Sequence, residues 1–218
     1  MKYYGQYEQD KVLNKIFKGK ENGVFVDIGA HDGVTFSNSL FFEESKNWRG
    51  ICVEPIPEVF QKLDEARNCI KVNGVISDKE GSETFLRVHG EVVDTEMLSG
   101  ILSDYDQRHL DRIDRELKEY GGEKEEITVA CYNINTLLEE NGLNQVDFFT
   151  IDTEGNELKI LKTINFEAFD IDVLIVENNY ESSENKEFME SKGYKRIKTI
   201  GHDEIFRKKE NLTFFQRS

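Results

Sequence analysis

Acids stand at or just beyond the ends of several apolar runs in this sequence, each followed by residues that turn or cap a chain. Asp27 lies at the end of VFVDI and leads into GAHDG, and Glu54 closes GICVE before Pro55 and Pro57. Asp152 and Glu154 follow VDFFT, and Glu177 and Asn178 end DVLIVEN. Carboxylates so placed can accept hydroxyl hydrogen bonds, hold a hard divalent cation, take up a proton or meet a cationic ligand. The turn after VFVDI says most about which. Gly29 and Gly33 let the backbone approach a ligand closely and can take positive φ. A dinucleotide site wants GxGxxG opening a helix whose positive end meets a pyrophosphate. Here His31 occupies the place of the middle glycine, and the charge of Asp27 opposes a phosphate. The turn therefore suits a cationic ligand.

The elements that position these residues follow from the apolar pattern. Strand-length runs recur at 24–28, 50–54, 70–76, 146–152 and 172–178, several of them nearly continuous, as strands buried on both faces of a parallel sheet require. Helix-like segments at 35–46, 57–67, 135–141 and 156–164 lie between them, each with a polar or turn residue near its start. Strand–helix–strand repetition predicts an α/β fold with a single doubly wound, mostly parallel sheet. YKRIKTI, the turn GHD, then EIFRKK and LTFF predict a C-terminal antiparallel hairpin. Residues 90–126 break the rhythm as a charged helical insertion or lid, with Leu110, Ile113, Leu117 and Tyr120 on one helical stripe that is expected to pack on the sheet. His202, with Asp203 and Glu204, falls at the hairpin turn and either lines the acceptor pocket or is exposed.

Composition narrows the partners. The 218 residues, 38% of them apolar, can bury one substantial core, so one domain over 1–218 is expected. Lys and Arg number 28 against 43 Asp and Glu, and the net charge of -15 repels a nucleic-acid backbone. Cys52, Cys69 and Cys131 are an odd number set far apart, which disfavours a disulfide framework and points to a reducing compartment. No apolar run reaches the roughly 18 residues of a membrane span, and MKYYGQYEQDKVLNKIF lacks a signal-peptide core, so a cytoplasmic protein without a membrane partner is expected. Oligomeric state is not legible.

In open α/β sheets the ligand sits beyond the carboxyl ends of the strands where strand order reverses. S-adenosylmethionine has the chemistry expected there, with a sulfonium, an ammonium, a ribose diol and an adenine but no phosphate. Asp27 would meet its methionine end beside the backbone of Gly29, Ala30 and Gly33. Glu54 would accept the ribose hydroxyls, and Ser77 and Asp78 would reach the adenine edge.

DIGAHDG, ICVEP, VISDKEG, MLSGILSDYD, IDTEGNELKIL and IVENNY, in that order and spacing, resemble the FkbM family of S-adenosylmethionine-dependent methyltransferases over almost the whole chain. The resemblance implies a class I methyltransferase, Rossmann-like fold and methyl transfer to oxygen, commonly a hydroxyl of a sugar, glycan or related metabolite. It carries Gln6, Gln9 and Asp10 into the cofactor site and Met97, Ser99 and Gly100 towards the acceptor. Family members often have Asn where His31 stands and His where Asn178 stands.

Methyl transfer is an in-line displacement in which positioning supplies much of the rate, and an alkyl hydroxyl needs a base or a metal to become a nucleophile. Asp152, Glu177 and Asn178 form a hard-oxygen set suited to Mg²⁺ or Mn²⁺. The alternative is a metal-free base, with Glu154, Glu177 or His31 as the candidates beside Asp152. A methyltransferase for a polyketide or protein side chain, and a cofactor-binding domain without catalysis inside a glycan-modifying protein, are the competing readings.

Overall fold

The computed structural model describes residues 1–90 and 93–212, with Val93 and Asp94 described through their backbone alone. In chain order, α1 (Gln9–Ile16), β1 (Val24–Ile28), α2 (Leu40–Lys46), β2 (Arg49–Glu54), α3 (Pro57–Ala66) and β3 (Ile70–Asn73) form the first half of the sheet and its cover. Next come β4 (Val75–Ile76), β5 (Gly81–Gly90), the helical turn α4 (Val93–Glu96), β6 (Gly100–Ile101), α5 (Gln107–Tyr120) and β7 (Gly122–Tyr132). The second half comprises α6 (Ile134–Glu140), β8 (Gln145–Ile151), α7 (Glu157–Thr163), β9 (Asp170–Glu177), α8 (Glu184–Ser191), β10 (Tyr194–Ile200) and β11 (Asp203–Lys208).

The main sheet has the order β10-β11-β9-β8-β1-β2-β3. Its strands from β9 to β3 pair in parallel, and β11 pairs antiparallel with both β9 and β10. Strand order reverses between β1 and β8, which is where a doubly wound sheet opens a crevice.

Alternation along each strand decides what each face carries. Val26, Ile28, Ile51, Val53, Phe149, Ile151, Leu174 and Val176 pack with α6, α7 and α8 through Leu138, Ile160 and Met189. Phe25, Cys52, Phe148, Val173 and Ile175 point the other way, onto Leu13 of α1, Phe41 and Phe42 of α2 and Leu63 of α3. Burying an aromatic such as Phe148, which is fully enclosed, contributes roughly 1.5–3 kcal/mol. Asp27, Glu54, Asp152 and Glu177 share the parity of this second set, so all four acids belong to the face covered by the N-terminal helices.

Several expected boundaries move. The 35–46 helix starts at Leu40, because Asp32 accepts hydrogen bonds from the amides of Val34 (2.9 Å) and Thr35 (2.7 Å) and Phe36 sits at φ 57°, so the preceding residues turn. The 70–76 run divides at Gly74. Ile70–Asn73 pairs with β2, while Val75–Ile76 joins a second sheet of order β4-β7-β5-β6. In the 90–126 segment the helix ends at Tyr120, and residues 122–126 belong to β7, which pairs antiparallel with β5 from Gly81–Cys131 to Gly90–Gly122. Three residues of the expected stripe pack, Ile113 buried against Leu86, Val88 and Leu98 with Leu110 and Leu117 beside it, on β5 of the second sheet, whereas Tyr120 at the end of the helix is 47% exposed. The hairpin forms as β10 and β11; residues 213–215 of its expected LTFF extension lie outside the described residues. Cys52, Cys69 and Cys131 are free thiols. Among the described residues no helix is long and apolar enough to cross a membrane.

Candidate active site

A cavity of about 300 Å³ runs along the carboxyl edge of the sheet, lined by Asp27, Glu54, Asp152, Glu177 and Asp203 from five consecutive strands. Register brings the first four together: Ile28 pairs with Val53 and Ile151, and Ile151 with Val176, so the acids lie next to these paired ends. Close approach at Gly29 fixes the centre. A Cβ there would stand 1.8 Å from the carbonyl oxygen of Asp152, and its φ of 85° disfavours a side chain as well. The amides of Gly29 and Ala30 both donate to Val53 O, at 3.1 and 3.0 Å, locking the glycine turn to β2.

Asp27 is buried and accepts a 2.5 Å hydrogen bond from Ser39 Oγ. Burial raises its pKa, while that hydrogen bond and the charge of Arg67 oppose the rise. Glu54 is aimed by two amides, Ile56 to Oε1 at 2.9 Å and His31 to Oε2 at 3.1 Å. Burial pushes its carboxyl up to about 7, against the pull of these bonds and of His31. His31 itself, at φ 50°, leaves both ring nitrogens buried without a hydrogen-bond partner. Burial works against its charged form, but Asp32, Glu54 and Glu96 outweigh it and raise its pKa. His31 thus stands with Glu54, at the end of the cavity expected to hold the cofactor.

At the other end Asp152, Glu154 and Glu177 bring one carboxylate oxygen each within 4.8 Å of one another. Asp152 opens onto the cavity, yet desolvation by the surrounding protein and repulsion from Asp203 raise it to about 7. Burial and the charge of Asp152 raise Glu154 to about 8, and the same two causes raise Glu177 well above the carboxylate range. Glu154 Oε2 accepts from Asn179 Nδ2 at 3.0 Å and lies 3.8 Å from Arg112 Nη1. Behind it, His109 Nε2 donates to Leu98 O at 3.1 Å and Nδ1 shares a 3.0 Å hydrogen bond with the Tyr180 hydroxyl; burial lowers the pKa of the ring, and the neutral form accepts the Tyr180 proton at Nδ1.

Not every expected residue comes to this cavity. Asn178 is turned into its own loop, with Oδ1 accepting from the Ser182 amide at 2.9 Å and Nδ2 donating to Ser182 O at 2.8 Å; Glu154 takes its place among the three acids. Ser77 Oγ donates to Asp78 at 3.0 Å, Asp78 pairs with Lys159 at 3.2 Å, and neither lines the cavity. The wall there is Ile76 and Asn156, whose Nδ2 donates to Ile76 O at 2.9 Å while its Oδ1 is buried and unpartnered. Gln6 and Gln9 line the cavity, and Gln9 Nε2 donates to Asp203 at 2.5 Å. Asp10 does not: it is buried as a brace for the N-terminal turn, accepting from the amide of Tyr4 at 2.6 Å. Met97 and Ser99 are in the wall, as is His202, whereas Gly100 is not.

Ser39, Arg67, Asn156, Asn179 and Arg112 were not singled out in the sequence. Asn156 could have been, since it lies inside IDTEGNELKIL; Arg67 follows a helix with no local signal of its role.

The methyltransferase FkbM domain profile matches residues 27–196. No curated protein shows a significant match. Among solved structures, the chain is similar to a precorrin-6y C5,15-methyltransferase from Geobacter metallireducens, at 13% identity and TM-score 0.40 over 90% of this chain and 85% of that one. It is also similar to a methyltransferase from Pyrococcus furiosus, at 14% identity and TM-score 0.41 over 91% and 82%.

Proposed function

The chain belongs to the FkbM methyltransferase family, and from that premise we propose that it is an O-methyltransferase acting on a hydroxyl of a sugar, glycan or related metabolite. The observation that carries this reading is the division of one continuous cavity into two acidic ends, Asp27 with Glu54 over β1 and β2, and Asp152, Glu154 and Glu177 over β8 and β9. The family implies S-adenosylmethionine as methyl donor, and the first end suits it: two buried acids would face a sulfonium and a diol, and among the described residues the one Lys or Arg lining the cavity is Arg112, beside Glu154 at the other end. Buried atoms without a hydrogen-bond partner lie there, the ring nitrogens of His31, of which Nδ1 has Asp32 at 3.7 Å, and Oδ1 of Asn156, and a polar ligand would supply one. Asn156 Oδ1 would accept from an adenine amino group, the part expected of Ser77 and Asp78.

S-adenosylmethionine supplies a methyl group on a sulfonium, so transfer forms one C–O bond and breaks one C–S bond while the hydroxyl proton leaves to a base. The chain must hold the acceptor in line with that bond and receive the proton. Glu154 and Asp152, raised into the neutral range, are matched to take and release a proton near pH 7. Their crowding also suits a divalent ion: three hard oxygen donors repel one another until a cation neutralises them. Asp152, Glu154 and Glu177 would hold Mg²⁺ or Mn²⁺, which would polarise the acceptor hydroxyl.

The test is a pair of variants. Asp27→Ala is expected to abolish donor binding by calorimetry, whereas Asp152→Ala is expected to bind donor and lose turnover. Normal binding and turnover in both variants would falsify the assignment.

A further inference from the structure

Five residues join β8 to α7, and four of them, Asp152, Thr153, Glu154 and Asn156, line the cavity. The two at the ends of this loop have anchors of their own: the Asp152 amide donates to Ile28 O at 3.0 Å, and Asn156 Nδ2 donates to Ile76 O at 2.9 Å. Between them Glu154 stands at φ 56° and Gly155 at φ 122°, and at Glu154 a side chain disfavours that conformation. Some other contact must hold it.

That contact comes from Glu157, a buried residue whose carboxylate lies against the loop. Its Oε1 accepts from the Thr153 amide at 3.0 Å, the Thr153 hydroxyl at 2.9 Å and the Gly155 amide at 3.0 Å, and Oε2 lies 3.1 Å from the same Gly155 amide. The amides on either side of Glu154 thus converge on one anion, as N–H groups do in a backbone nest. With both neighbours drawn to Glu157, the residue between them is turned away from it, and the Glu154 carboxylate joins Asp152 and Glu177. Asn179 Nδ2 then fixes that carboxylate at 3.0 Å. Glu157 itself does not line the cavity, so it acts on no reactant directly.

An acid in the first turn of a helix ordinarily serves the free amides of that helix. Glu157 opens α7, but these bonds run back to the loop before it. Charge alone gives no reason for an acid here either. Burial raises the pKa of Asp152, Glu154 and Glu177, and the charge of Glu157 adds to the rise in all three. A fourth carboxylate beside three crowded ones is kept by the hydrogen bonds it accepts. We propose that Glu157 is a positioning residue for methyl transfer: its carboxylate clamps the amides of Thr153 and Gly155 and so holds Glu154 in the geometry that serves the acceptor. This rests on the reading above that places Glu154 at the acceptor end.

The experiment compares Glu157→Ala, Glu157→Gln, Glu154→Gln and the double variant Glu157→Ala with Glu154→Gln. Methyl transfer from tritiated donor is measured on methyl pyranosides, acyclic polyols and catechols, donor affinity by calorimetry, and amide hydrogen exchange at Thr153 and Gly155. Glu157→Ala is expected to speed exchange at both amides and to lower kcat on the order of 100-fold, the scale of a roughly 1 Å misplacement, while KM and donor affinity stay within about twofold. Donor affinity holds because Asn156 keeps its own anchor on Ile76. Glu157→Gln keeps the Oε1 acceptor and is expected to restore most of kcat, which separates the hydrogen bonds from the charge. In the Glu154→Gln background the alanine change is expected to cost less than about twofold more, because the residue it acts through is gone. Should Glu157→Ala not fold, Glu157→Asp, one methylene shorter, keeps the charge but draws it back from both amides and carries the same expectation. Unchanged exchange or wild-type kcat in Glu157→Ala beside an impaired Glu154→Gln, a glutamine variant as slow as the alanine one, or full additivity in the double variant overturns the positioning role alone. Wild-type turnover in Glu154→Gln overturns the reading of Glu154 beneath it. No transfer by the wild type to any of the three acceptor classes overturns the hydroxyl-methylating reading and the positioning role together, before any variant is made.

Discussion

Arg67 reaches Asp27 through a single oxygen: Ser39 Oγ donates to Asp27 Oδ2 at 2.5 Å and accepts from Arg67 Nη2 at 2.9 Å. The guanidinium is itself buried, with further donations to Gly33 O at 3.0 Å, Ser37 Oγ at 3.3 Å and Glu43 at 3.0 Å. One buried cation thus holds the glycine turn, the start of α2 and the orientation of the acid at the head of the site. A positive charge placed behind Asp27, and not in front of it, helps keep that carboxylate ionised while leaving its open side to a cationic ligand.

Arg67→Ala breaks the buried ion pair with Glu43 and removes the cation behind the Ser39–Asp27 hydrogen bond. Breaking a buried pair in this way costs about 3–5 kcal/mol, so urea unfolding is expected to move to a clearly lower midpoint. Ser39→Ala removes one hydrogen bond and is expected to cost about 1–3 kcal/mol, with weaker donor binding. Midpoints equal to wild type for Arg67→Ala would show that the relay does not support the turn.

Glu54 gives the site a pH dependence with a defined sign. Its folded pKa of about 7 lies above the ordinary 4.5. A ribose diol needs the ionised form, so donor affinity is expected to rise with pH and level off above about 7, changing about tenfold per unit well below it. Without donor the same shift acts on stability in the opposite sense. The folded state binds more protons than the unfolded one between 4.5 and about 7, so stability falls as pH rises through that window, by on the order of 3 kcal/mol from this group. Calorimetry of Glu54→Gln across the same range is expected to give a flattened affinity profile; a profile as steep as wild type would place the titrating group elsewhere.

The three acids at the acceptor end predict a response to divalent ions that does not depend on turnover. Mg²⁺ or Mn²⁺ at about a hundredfold excess over its dissociation constant is expected to raise the melting temperature by about 5–10 °C. Asp152→Asn combined with Glu177→Gln is expected to remove that rise. Full activity after dialysis against EDTA, together with no shift in melting, would leave Glu154 as a metal-free base.

Docking of α5 depends on its first turn. Asp106 caps it by accepting from the His109 amide at 3.0 Å, and His109 stacks on Tyr105 with ring centroids 4.2 Å apart. Asp106→Ala is expected to cost about 1 kcal/mol and to speed hydrogen exchange of the amides at the start of α5. Exchange unchanged in that turn would mean that packing of His109 alone holds it.

The main sheet was legible because its strands carry their own signal. VFVDI and DVLIVEN are apolar enough to be buried on both faces, and their acids fall at the strand ends whatever surrounds them. The second sheet was not, since β7 begins GEKEE and reads as a charged surface until its pairing with β5 is known. Asn178 and Glu154 were separated by a similar limit. Both follow strand ends, and only the Ser182 contacts show that one closes a loop while the other faces the cluster.

Sequence alone determined the parallel strands of the main sheet in chain order, the C-terminal hairpin, the glycine turn and which acids stand at the strand ends, because alternation, turn formation and charge are properties of neighbouring residues. Tertiary structure decided which of those acids share a cavity, that Asn156 replaces Ser77 and Asp78 in its wall, and that Arg67 stands behind Asp27. Each of these joins residues far apart in the chain, and such distances are fixed by packing and register, which no local pattern encodes.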